Sequence, residues 1–153
     1  MNPWYWLVPV ALLGLVLFYW IGRSTRLAPS HSDAVRKAFA SQRTELHAAF
    51  FRAVSASGKP RGLRWKECQW NDLIEWVREK ESGQLLALVG VTISFEAIEG
   101  GDMEGVEAVS NLRNASAVFF LHEGEWRTGG RVIYNLNPSE AVEHFKDHYE
   151  RIV

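Results

Sequence analysis

Only one cysteine, Cys68, occurs in the 153 residues. No internal disulfide can staple this chain, and its stability has to come from a packed core. Five prolines and twelve glycines are too few for a collagen-like or low-complexity segment, and no internal repeat is present. No basic side chain precedes Arg23. A phosphate-binding loop, a dinucleotide fingerprint, a paired CxxC and a GxSxG are all missing, and with them go the signatures of the common nucleotide-dependent, redox and serine-hydrolase chemistries. The expectation is a protein without enzymatic activity, cofactor or metal.

The first stretch that is rich in anything is WYWLVPVALLGLVLFYW, residues 4–20. Trp4 to Ile21 carry no charge, and eighteen helical residues reach about 27 Å, close to the roughly 30 Å hydrocarbon core of a bilayer. Aromatic triplets close both ends and put Trp4, Trp6, Tyr19 and Trp20 at the two headgroup levels, where rings with one apolar and one wet side are favoured. A cleaved signal would have a basic start and a shorter apolar stretch. The expectation is therefore a retained transmembrane anchor over 1–22 and a linker over 23–32. Arg23 and Arg26 just past the span, with Arg36 and Lys37 behind them, place the body on the cytoplasmic side of an inner membrane, spanned once.

Charge is separated along the chain. Residues 23–66 hold ten Lys or Arg against Asp33 and Glu45, whereas residues 67–153 hold seven basic against sixteen acidic side chains. The basic half adjoins the apolar segment, which suits contact with anionic lipid headgroups. The stretch KPRGLRWK, residues 59–66, mixes four cations with a tryptophan, but four charges without a recognised fold do not make a nucleic-acid site. No nucleic-acid partner is expected.

The body, 33–153, predicts one α+β domain. Ser32 and Asp33 start a long helix with Val35, Phe39, Leu46, Phe50 and Val54 on one face; Gln42 and Arg43 interrupt that stripe, and Gly58 and Pro60 end it. RGLRWKECQW and DLIEWVREK then read as two strands around Asn71-Asp72, and Ser82-Gly83 turns into LLALVGVTISFEAI. In that run Val89, Val91, Ile93, Phe95 and Ala97 alternate with Gly90, Thr92, Ser94 and Glu96. ASAVFFLH, a Glu123-Gly124 turn and EWRTGGRVIYNL form a hairpin. Asn137 as cap, Pro138 at the first helical position and Glu140 three residues after the cap start a final helix with Ala141, Val142, Phe145, Tyr149 and Ile152 on its apolar face. The whole is a transmembrane helix, a long helix, about five antiparallel strands and a C-terminal helix.

A long leading helix followed by an antiparallel sheet that ends in hairpin strands such as FFLHEGEWRTGGRVIYN resembles the cystatin-like and NTF2-like superfamily of curved-sheet domains, over residues 33–136. The C-terminal helix departs from the usual pattern. The whole chain also resembles small bacterial membrane-anchored proteins, a likeness that brings no function with it. The superfamily resemblance implies a ligand pocket or a small enzyme's cavity on the curved sheet, and Thr92, Ser94 and Glu96 are its candidate floor.

Other polar clusters read as structural. His144 and His148 are spaced i, i+4, but the zincin pattern needs Glu at the position that Phe145 holds. The acidic stretch Glu96, Glu99, Asp102, Glu104 and Glu107 matches no calcium loop. Cys68 has no histidine placed beside it. The five apolar residues Ala117–Leu121 carry more weight, because a strand apolar on both sides must be covered on both or present one row to a partner. With both helices on the Val91 side, one of Phe119 and Phe120 is core and the other forms a self-association or partner surface. The expected function is a single-pass, membrane-anchored, non-catalytic interaction or assembly module, with the ligand binder as its rival.

Overall fold

The computed structural model describes residues 29–57 and 62–152. The expected anchor, with Trp4, Trp6, Tyr19, Trp20, Arg23 and Arg26, lies outside the described residues. Among the described residues no helix is long and apolar enough to cross a membrane. The chain divides into two compact units between Lys37 and Ala38; of the first, residues 29–37 are described, the opening of a helix, and the fold below is that of the second.

Helix α1 runs Pro29–Ala56. It begins inside the stretch expected to be linker, because Pro29 at a first turn gives up only an N–H that would have no helical partner. Phe39, Leu46, Phe50 and Val54 are all buried, as their spacing of seven and four residues requires. Ser57 closes the helix: its hydroxyl donates to the Val54 carbonyl at 2.7 Å.

Six strands follow: β1 Leu63–Glu79, β2 Leu85–Ala97, β3 Arg113–His122, β4 Glu125–Arg127, β5 Val132–Tyr134 and β6 Tyr149–Arg151, with a 3-10 turn Glu107–Ser110 and helix α2 Pro138–His144 between them. They make one antiparallel sheet in the order β4-β3-β2-β1-β6, with β5 also paired to β3. The class is α+β, as the sequence predicts.

Two local expectations need correction. Asn71-Asp72 does not reverse the chain; it lies within one 17-residue strand as an irregularity between the pairs Trp70↔Val91 and Ile74↔Val89. The turn-forming chemistry is spent locally, since Asn71 Oδ1 accepts the Leu73 N–H at 3.0 Å, and Arg43 of α1 donates to the Asn71 carbonyl at 2.9 Å. The out-of-register residues are a bulge fastened to the helix. The final helix, in turn, stops at His144. Its start is as predicted, a reciprocal capping box with Glu140 N–H donating to Asn137 Oδ1 at 3.0 Å and Asn137 N–H to Glu140 Oε2 at 2.8 Å. Its end is decided by the sheet. Tyr149–Arg151 pair with Val77–Glu79, and Ile152 N–H donates to Trp76 O at 2.9 Å, covering part of the β1 edge that would otherwise be open.

The registers sort the side chains onto two faces. Trp76, Ala87 and Phe119 stand in one row, and Phe39 of α1 meets the rings of Trp76, Phe119 and Trp126 at 5.2–5.4 Å, edge to face. The same face carries Val89, Val91, Ile93 and Phe95, all buried. On the other face Val77, Leu86, Leu88, Val118 and Ile133 form a second core with Ala141, Val142 and Tyr149, and Phe120, Leu136 and Phe145 pack against it. The two helices therefore cover opposite faces. That replaces the expectation that both lie on the Val91 side, and its cause is the short connection after β5: Ser116 is fully buried on the second face and its hydroxyl donates to Leu136 O at 2.9 Å, which leads α2 there.

Candidate functional site

With a helix on each face of the sheet, two openings among the described residues lie at its margins. The larger opening lies between α1 and the hairpin edge. Leu46 and Trp126 are buried at its floor, Gln42, Glu45 and Ala49 line it from the helix, and Glu125, Arg127 and Thr128 from the strand; its volume is about 440 Å³. The strand wall is shaped by the two-residue turn Glu123-Gly124, whose φ angles of 51° and 82° are those of a tight hairpin. Beyond Arg127 the strand steps away from β3, and Thr128 fills the gap: its hydroxyl donates to Val118 O at 3.1 Å and accepts the Gly130 N–H at 3.1 Å. Glu125 and Arg127 pair across the rim at 3.0 Å.

Polarity decides what this groove accepts. The floor offers an aliphatic and an aromatic side chain, Ala49 leaves room above them, and the helix side brings the Glu45 carboxylate and the Gln42 amide. Such a site favours an apolar side chain flanked by a basic one.

A smaller cavity of about 200 Å³ at the opposite margin is lined by Glu79, Glu81, Arg131, Phe145, His148 and Tyr149. There Arg131 donates to the Tyr149 hydroxyl at 3.1 Å and approaches Glu79 at 3.9 Å. It reaches from the β5 side to Tyr149 of β6 and Glu79 of β1. Burial pushes the Tyr149 hydroxyl up from its ordinary range, Arg131 pulls it down and Glu79 raises it.

The residues nominated from sequence fall as follows. Phe119 is fully buried and Phe120 half-buried against the second core. Thr92, Ser94 and Glu96 do share a face, together with Gly90. Each is engaged or covered: Thr92 Oγ1 lies 3.4 Å from Asn114 Oδ1, Ser94 is buried and Glu96 pairs with Arg64 at 2.7 Å. The Asn71 amide lies over Gly90, where even a β-carbon would overlap it. Cys68 is half-buried on β1, and burial together with Glu67 pushes its thiol up to about 11, so it is not a thiolate nucleophile at neutral pH. His144 is the last residue of α2 and His148 lies beyond it, so the i, i+4 pairing on one helix is lost. Among the described residues no group of His, Cys, Asp and Glu is arranged to hold a metal ion.

The groove residues Glu45, Ala49 and Thr128 were not nominated. Their one trace in the sequence is Gln42, a polar interruption of the apolar stripe of α1. Arg43, the other interruption, marks the bulge contact. Compared with models of protein families, with curated proteins and with solved structures, the chain matches none.

Proposed function

We propose that this chain is a membrane-anchored, non-catalytic interaction module, and that its α+β unit binds a partner segment in the groove between α1 and β4. The observation that carries this reading is the groove itself, an open site of about 440 Å³ with the buried side chains Leu46 and Trp126 at its base and a charged rim. The segment it fits presents an apolar side chain to Leu46, Ala49 and Trp126, and a Lys or Arg to Glu45. The ligand-binding alternative has less support, because Thr92, Ser94 and Glu96 are already engaged with or covered by their neighbours. At the level of element order, a long helix followed by an antiparallel sheet, this reading keeps the resemblance to the cystatin-like and NTF2-like superfamily.

Filling the groove tests the site. Ala49→Trp places an indole in the opening, and in co-purification from membranes with residues 1–28 intact it is expected to lose a groove-bound partner at least tenfold while the thermal midpoint stays within a few degrees. A partner retained by this variant binds elsewhere, and the groove is then not the site.

The anchor rests on residues 4–21 and the cations after them. The chain is expected to stay with membranes through alkaline carbonate washing, with residues 4–21 present in its mass spectrum and the body shielded from protease added to intact spheroplasts. Release by carbonate, or digestion from outside, would overturn this placement.

A further inference from the structure

Two consecutive turns of α1 hold the β1 bulge. Arg43 donates to Asn71 O at 2.9 Å and pairs with Asp72 Oδ1 at 3.2 Å. One turn on, the imidazole of His47 lies flat on Trp70, with ring centroids 3.7 Å apart and planes 8° from parallel. Its Nε2 is buried and has no hydrogen-bond partner among the described residues. A neutral ring tolerates this, since stacking on an indole needs no polar partner. A protonated ring does not, because the new N–H would be buried without an acceptor.

We propose that His47 is an acid-sensitive latch: on taking up a proton its imidazole leaves the face of Trp70, and the bulge at residues 71–73 loosens because only the Arg43 contacts still fasten it to α1. This goes beyond the groove reading and does not depend on it.

The groups facing His47 set the balance. On its own helix the charged neighbour is Arg43, one turn away. From β1 it meets Trp70, with the Cys68 thiol further along the same face and Asp72 held by Arg43; from β3 it meets the ring of Phe119, which does not titrate, at 6.3 Å. A cation gains something from lying on an indole, but loss of hydration and repulsion by Arg43 outweigh it and lower the His47 pKa to about 4. The unfolded chain takes up this proton near 6.5. The held form is therefore favoured in full above about pH 6.5, is weakened as pH falls from 6.5 towards 4, and loses nothing further below that. What loosens carries Leu73, already 53% exposed, and uncovers Trp70.

The test is an NMR titration of the full-length chain in detergent from pH 7.5 to 3.5, following the His47 ring and the backbone amides. The expected result is a His47 midpoint near pH 4, with the amides of residues 71–73 moving at that midpoint while those of β2 and β3 stay in place. In His47→Phe, which keeps a stacking ring without a proton site, the movement of the bulge should vanish; in Arg43→Gln the His47 midpoint should rise. A midpoint near 6.5, a bulge that still moves in His47→Phe, or amides of β2 and β3 moving in step with the bulge would each overturn the latch. The second outcome would assign the effect to the Arg43–Asp72 pair, and the third to acid unfolding of the whole unit.

Discussion

Phe119→Ala is expected to lower unfolding free energy by about 3–5 kcal/mol, the range for deleting a fully buried ring. Phe119 is 0% exposed, and its ring is the meeting point of the aromatic core: Phe39 lies 5.4 Å away, Phe50 5.9 Å and Trp70 6.0 Å. Rings at these spacings interact edge to face or tilted, which adds to the area they bury. Against a stability of about 5–15 kcal/mol for a domain of this kind, that is a large fraction. Phe120→Ala should cost less than half as much, because the ring is only partly covered by the second core. Urea denaturation followed by tryptophan fluorescence distinguishes the two. Equal losses would mean that the second core carries as much of the fold as the aromatic one, contrary to the burial of the two rings.

Gly130→Ala should cost about 2–5 kcal/mol, although it adds one methyl group. Gly130 has φ +74°, and a β-carbon there would lie 3.0 Å from Ala53 Cβ and 3.1 Å from the Val54 backbone nitrogen. The left-handed conformation costs an L-residue about 1–2 kcal/mol, and the overlap with helix backbone, which has no flexible end to yield, adds about 1–3 kcal/mol. The contact exists because the connection after β4 leaves β3, and Gly130 within it comes against the last turns of α1. Gly129 is the control. A β-carbon there meets nothing within 4 Å, so Gly129→Ala should stay within about 0.5 kcal/mol of the parent. If the two substitutions were equally mild, the close approach of the β4–β5 connection to the helix would be wrong.

Both predictions concern contacts that no local pattern announces. Signals that act within about four residues were legible: the alternation of Val89 to Phe95, the hairpin turn at Glu123-Gly124, the capping box of Asn137, Pro138 and Glu140, and the apolar stripe of α1. Each is a matter of backbone preference or of burying one face, and each is present where the sequence puts it. The class of the fold followed from their order.

The tertiary structure decided the rest, because the deciding partners are far apart in sequence. Asn71-Asp72 carries a sound turn signal, and it is Arg43, 28 residues away, that makes it a bulge within a continuous strand. Tyr149 fits a helical face as well as a strand. The β1 edge at Glu79 and the second core claim it, since pairing that edge and burying the ring satisfy more backbone and apolar surface than two further helical turns would. The same holds for the site. Apolar alternation says that a face is buried but not which helix covers it, and only the return of α2 to the second face leaves α1 and the hairpin edge with a groove between them. The sequence by itself determined the class and the position of the long helix and the main hairpin strands; the continuity of β1, the strand β6, the assignment of faces, the stacking of His47 on Trp70 and the groove depend on side chains that folding alone brings together.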